Sequence, residues 1–335
     1  MLNLNTPGAR GDQTLSHNMK LLAHHELNGF GGMGEGMSLQ KTSDGRRILW
    51  MAHESAPKNF TGVDVTDPRN PKVIVQTELP HAKVRSNSLD VVGDLMAVAY
   101  QTQTVGMQPA GVDLFDVSKP EQPRLLSHFD CSGPHSRGVH AVWFVDGKYV
   151  HMAAGAPDFQ PRNPLDDQFY RILDVSNPSK PVEAGRWWVP GQHVAGGETP
   201  QKDPNINLHN PNFVDGNLMY LSYGDAGMVV LDISDVKKPK LVSQTKFQPR
   251  HRFDVHTVSP DFKRKLVYVN SEAVISDCKG PLDHATIVDV ANPAKPFAVS
   301  RFPVPVPPAG LPYRNFCDKG GRFGPHNMKI GRAHV

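Results

Sequence analysis

Cysteine is scarce in this chain, three in 335 residues, too few for the disulfide framework with which small secreted domains replace a core. Long apolar runs are missing. No segment approaches membrane-spanning length, and Met1 to Lys20 is polar with no apolar h-region, so neither a membrane nor a secretory leader is expected and the provisional location is cytoplasmic. No long stretch carries a helical period, which excludes an α-helical domain. Basic blocks are absent: 36 Lys and Arg stand against 33 Asp and Glu, spread along the chain for a net charge of +3, and nucleic acid is not an expected partner. There is no Gly-x-Ser-x-Gly elbow, no zincin helix and no dinucleotide fingerprint. The glycines from Gly29 to Gly36 are not directly followed by Lys-Ser/Thr, the nearest such pair being Lys41-Thr42, and no helix follows, so they form no phosphate loop.

What the chain does contain is a phrase used five times: Asp64-Val65-Thr66-Asp67 with Pro71, Asp116-Val117-Ser118-Lys119 with Pro123, Asp174-Val175-Ser176-Asn177 with Pro181, Asp232-Ile233-Ser234-Asp235 with Pro239, and Asp289-Val290-Ala291-Asn292 with Pro296. The copies lie 52 to 58 residues apart, the period of a supersecondary unit that must stack on copies of itself to bury its apolar face. Each copy holds a short apolar run, a turn, a second run such as Leu218-Met219-Tyr220-Leu221, and a third run ending on the repeated Asp. A polar turn closed by proline and a fourth run complete it. Four strands per unit at this period predict an all-β chain folded as a β-propeller, whose blades leave only short protected edges.

The segments "MVVLDISDVKKPKLV" and "TIVDVANPAKPFAV" resemble the LVIVD-repeat propeller family, and the resemblance covers most of residues 45 to 304. It implies the fold and is nearly silent on activity. A polar leader (1–20) precedes a single propeller domain (21–329). Its five complete blades are expected at about 21–80, 81–130, 131–190, 191–249 and 250–304, with a truncated sixth at 305–329 and seven blades in the intact protein. Residues 330–335 depart from the repeat and are read as a non-native, adapter-derived tail.

One histidine recurs at one repeat position, the start of the first strand: His140, His209, His256 and His326, with Asn87 in the second repeat and roughly Gly36 in the first. First strands line a propeller's channel, so four imidazoles should converge at its mouth. An all-histidine set favours iron, copper or zinc, with open positions for chemistry. Four propeller histidines around iron also occur in carotenoid oxygenases, which the chain resembles in that respect only. The loops around this point supply Arg85, Arg137, Arg252 and Arg322, expected to bind an anionic small molecule through their forked donors. They also supply Glu54, Tyr223, Asp225 and Glu272 as candidate catalytic groups. The expectation is a metal-dependent oxidoreductase or hydrolase. The alternative is a non-catalytic propeller that binds a protein or small ligand on its loop face.

Overall fold

The computed structural model describes residues 20–30, 33–200, 205–247, 255–272, 275, 279, 285–302, 306–307, 309–310, 317 and 326. Five four-stranded antiparallel sheets follow one another, each a simple meander in chain order. Blade 1 comprises Met37–Lys41, Arg47–Ala52, Lys58–Asp64 and Lys72–Glu78. Blade 2 comprises Val84–Val92, Leu95–Thr102, Gly111–Asp116 and Arg124–Asp130. Blade 3 runs through Val139–Phe144, Tyr149–Ala154, Phe169–Asp174 and Val182–Trp187. Blade 4 runs through Asn210–Asp215, Leu218–Ser222, Met228–Asp232 and Lys240–Thr245. Blade 5 contains Thr257–Asp261, Leu266–Asn270, Ala285–Asp289 and Phe297–Arg301. All five agree with the expected four-strand units. The tail 330–335 lies outside the described residues.

Strand periodicity builds the core. Side chains on a strand point alternately to its two faces, and in a middle strand both faces meet a neighbouring blade. In blade 4, Val229 and Leu231 pack with Ile172 and Tyr170 of blade 3, whereas Met228 and Val230 pack with Val258 and Val267 of blade 5. The same division joins blades 2 and 3 through Leu114 and Phe144, and blades 1 and 2 through Trp50 and Met96. The outer strands carry little of this load, and every residue of Phe297–Arg301 is exposed.

The repeated Asp closes the turn into the outer strand. The carboxylates of Asp64, Asp116, Asp174, Asp232 and Asp289 each accept the backbone N–H two residues on, at 2.8–2.9 Å. This is an Asx turn, and because the amide common to all five supplies the turn's bond, the second residue can vary as Thr, Ser or Ala, with the hydroxyl of Ser118 adding a further donor. The intervening Val or Ile donates its own N–H to the hairpin between the first two strands, as Val175 does to the Lys148 carbonyl at 2.8 Å. The Ser118 donors and Arg124 together hold the Asp116 carboxyl down to about 2. A register shift two residues before the Asp recurs in all five blades and twists the outer strand over its neighbour.

These turns also dock one blade on the next. Ser127 Oγ in the outer strand of blade 2 donates to the Pro178 carbonyl of blade 3 at 2.6 Å, and Ser243 of blade 4 repeats this to Pro293 of blade 5. Blade 3 has Gly185 at that register position, and a Cβ there would meet the Val236 carbonyl at 1.8 Å. Among the cysteines, Cys131 is a buried free thiol and Cys317 is disulfide-bonded, so three cysteines give a bridge although not a framework. Asp174→Ala should lower stability in chemical denaturation by about 1 kcal/mol, the usual worth of one hydrogen bond, while Asp174→Asn should stay near wild type because an amide oxygen also accepts. Equal losses in both variants would remove the Asx turn from this account.

Candidate metal centre

Pairing register places the inner residues. Ser88, Ala141, Asn210 and Thr257 sit at one level of four successive inner strands, opposite Ala99, Ala153, Ser222 and Asn270. In blade 1 that level belongs to Gly36, whose carbonyl accepts the Ala52 N–H at 3.0 Å. The residues just before these five are Asn87, His140, His209, His256 and Glu35. The first repeat therefore contributes Glu35, not Gly36, to the channel mouth. His326 joins them from beyond blade 5, its carbonyl accepting from Thr257 Oγ1 at 3.3 Å and from Asn270 Nδ2.

The four expected histidines do come together. Ring centroids of His140 and His209 are 4.2 Å apart, those of His209 and His256 3.7 Å, and those of His256 and His326 4.5 Å. His140 Nε2 lies 2.9 Å from His209 Nε2. Hydrogen bonds on the far side of two rings settle their tautomers. His140 Nδ1–H donates to Gln101 Oε1 at 3.0 Å, and His256 Nδ1–H donates to Thr257 Oγ1 at 2.8 Å, the hydroxyl passing its own proton to the His326 carbonyl. Each leaves an Nε2 lone pair for the centre, the arrangement by which outer partners orient metal-binding imidazoles.

Charge is kept off these rings. Burial, reinforced by the other imidazoles, holds His140 and His256 far below the usual histidine range, and burial with His326 and Arg85 takes His209 to about 3. They are neutral at pH 7, the form that binds metal. Burial raises the Glu35 carboxyl against the opposing pull of His326 and the Asn87 amide. Glu35 Oε2 and His256 Nε2 are buried without a hydrogen bond among the described residues. Such atoms are costly unless an ion or ordered water lies between them. The donor set, imidazole and carboxylate around orphaned lone pairs, fits a transition metal.

A cavity of about 400 Å³ opens over the cluster, lined among others by Glu35, Arg85, His140, His209, Asp166 and Glu272. Glu272 lines this cavity, its two oxygens 3.8 Å from His256 Nε2 and His326 Nε2. Arg85 lies on the wall, donating to Gln101 Oε1 at 3.0 and 2.6 Å and to Glu54 at 2.8 Å. Arg137 also lines the cavity, but its guanidinium is committed to Asp167, which is 1% exposed, and to the Leu165 carbonyl. It is scaffolding rather than a free anion clamp. Tyr223 is a core residue and not a cavity group: it is fully buried, donates to Gln192 Oε1 at 2.7 Å and packs edge-on against Trp187. Asp225 is buried beside Asn205, whose Nδ2 donates to it at 3.2 Å, and does not reach the cavity lining. Arg252 and Arg322 lie outside the described residues. Sequence reasoning missed Asp166, a cavity residue only 2% exposed, because it sits in a non-repeated loop with no counterpart in other blades.

The LVIVD repeat family profile matches residues 167–188 and 213–246, the segments that carry the Asp174 and Asp232 turns. No curated protein matches the chain. Among solved structures, the β-propeller domain of Cps50 (Swd1) from Myceliophteria thermophila is 11% identical, with 80% of this chain and 73% of that chain covered at a TM-score of 0.50. A hypothetical selenium-binding protein from Sulfolobus tokodaii is 12% identical at a TM-score of 0.50, with 76% of this chain covered and 58% of the Sulfolobus chain spanned. At such identities the likeness is one of fold. The chain folds as a β-propeller and carries LVIVD repeats at residues 167–188 and 213–246.

Asp166 gives the centre a pH signature. Burial lifts its carboxyl to about 7; a backbone donor at Ile206 opposes this, Asp225 and Asp167 add to it, and Arg137 opposes it again. An unfolded aspartate releases its proton near 3.9. Between about pH 4 and pH 7 the folded state thus holds the extra proton, and stability falls as pH rises through that window. Asp166→Asn should be more stable than wild type at pH 8, by at most about 4 kcal/mol, with the gain vanishing near pH 4. Denaturation curves at three pH values decide this, and a difference independent of pH contradicts it.

Proposed function

We propose that this propeller is a metal-dependent enzyme acting on a small anionic organic molecule, by oxidation or by metal-assisted hydrolysis. The observation that carries the reading is the convergence of His140, His209, His256 and His326 on Glu35 beneath an open cavity. Four imidazoles without a thiolate favour iron, copper or zinc. Such an ion, when bound, supplies Lewis-acid or redox chemistry. Arg85 is the group suited to orient the substrate's anion. Its partner Glu54 is 59% exposed, and an exposed ion pair of this kind is weak enough for a substrate carboxylate or phosphate to displace. Glu272, beside His256 and His326, is the candidate to accept a proton from the bound molecule. Asp166, also in the cavity lining, is a carboxyl that burial lifts to about 7.

No helix among the described residues is long and apolar enough to cross a membrane.

Elemental analysis of the full chain, purified without a polyhistidine tag, tests the reading. Stoichiometric iron, copper or zinc is expected in the wild type, with at least tenfold less in the His209→Ala, His256→Ala double variant. A folded wild-type protein free of metal overturns the enzyme reading and leaves the loop face as a binding surface.

A further inference from the structure

One ion bound by four imidazoles at about 2.0–2.1 Å would confine all four donor nitrogens within about 4.2 Å of one another. The donors here gather differently, in triplets whose members lie within 4.8 Å: Glu35 with His140 and His209, Glu35 with His256 and His326, and Glu272 with His209 and His256. Glu35 belongs to two of the three. From this partition, and resting on the metal-centre reading above, we infer that the channel mouth is built for two ions bridged by the Glu35 carboxylate.

The distances support each half. His140 Nε2 and His209 Nε2 are 2.9 Å apart, close to the roughly 3.0 Å between two nitrogens that meet one ion at a right angle with bonds of about 2.1 Å. Glu35 Oε1 lies 3.9 Å and 4.0 Å from the same two nitrogens, within the span of donors sharing an ion. That makes His140, His209 and Glu35 the first set. The second is His256 and His326, to each of which Glu272 presents one oxygen at 3.8 Å, while His209 and His256, one from each set, also share Glu272. Glu35 also reaches this pair, and its other oxygen, Oε2, is buried with no hydrogen bond among the described residues. His256 is fully buried and its Nε2 is likewise unpartnered. A bridging carboxylate uses both oxygens, and paired ions in enzymes stand about 3.5–4 Å apart, a gap such a bridge spans. Asn87, fully buried beside Glu35, accepts the backbone N–H groups of Glu35 and Gly36 on its own carbonyl at 2.8 and 3.0 Å and so fixes the bridge's backbone. Two ions side by side at the cavity floor would hold two oxygens of a single anionic group, with Arg85 meeting the remainder. This narrows the substrate to a carboxylate or phosphate that binds through its charged end.

The test is a Co²⁺ titration of the full chain after chelator treatment, followed by visible d–d absorption and by electron paramagnetic resonance of the Cu²⁺-loaded protein. The inference expects saturation at two equivalents and a half-field signal from coupled Cu²⁺ ions. Glu35→Gln, which keeps the side chain's size, should abolish the coupling and weaken the second equivalent at least tenfold. Glu272→Gln should weaken one equivalent and spare the other, and it provides the reading if Glu35→Gln does not fold. Saturation at one equivalent in the wild type, or coupling that survives Glu35→Gln, overturns the bridged pair and leaves the proposed function standing. No uptake by folded protein overturns both.

Discussion

Face-to-face packing of neighbouring blades is the constraint on which the rest of the molecule depends. A four-stranded antiparallel sheet with apolar residues on both faces of its middle strands has no stable existence alone. Val229 and Leu231 need blade 3, and Met228 and Val230 need blade 5. That requirement makes the array propagate. The turn that each Asp closes takes part in that packing, as Ser127 and Ser243 show by donating to the turn carbonyls of the next blade. Where the docking of a turn on the preceding outer strand is tightest, the side chain disappears altogether, at Gly185.

The same geometry gathers polar residues at the axis. Inner strands converge, so a residue just ahead of each strand is brought close to its counterparts whatever its chemistry. Apolar residues would close the channel. This chain instead spends the position on Glu35, Asn87 and four histidines, and buries lone pairs that an apolar mouth would never need to satisfy. Their protonation is controlled by the surroundings: burial and mutual proximity keep the imidazoles neutral, while Gln101 and Thr257 hold two of the rings with Nε2 inward. The neutrality and orientation of these rings follow from the scaffold and not from any single residue.

Much of this was legible in the sequence because it repeats. The five Asp turns announce themselves at a fixed period, and each does one local job that tolerates little change. The recurring histidine was legible for the same reason. Glu35 was not, since the blade 1 position had to be guessed through a glycine-rich approach with no histidine to anchor it, and an error of one residue replaces a carboxylate by Gly36. Asp166 and Gln101 owe their roles to the neighbours they meet across blades, which no repeat reports. Arg137 and Tyr223 were read as working groups from their loops alone. The structure gives the first a buried carboxylate partner and the second a place in the core, outcomes decided by Asp167 and Trp187, far from either in the repeat pattern.

The most direct test of the central claim is an anomalous-diffraction crystal structure collected at the absorption edge of the metal the protein carries. The account predicts anomalous density within bonding distance of the Nε2 atoms of His140 and His209 and of the Glu35 carboxylate. A well-ordered mouth in which those atoms are bridged only by water, with no anomalous signal, would contradict it.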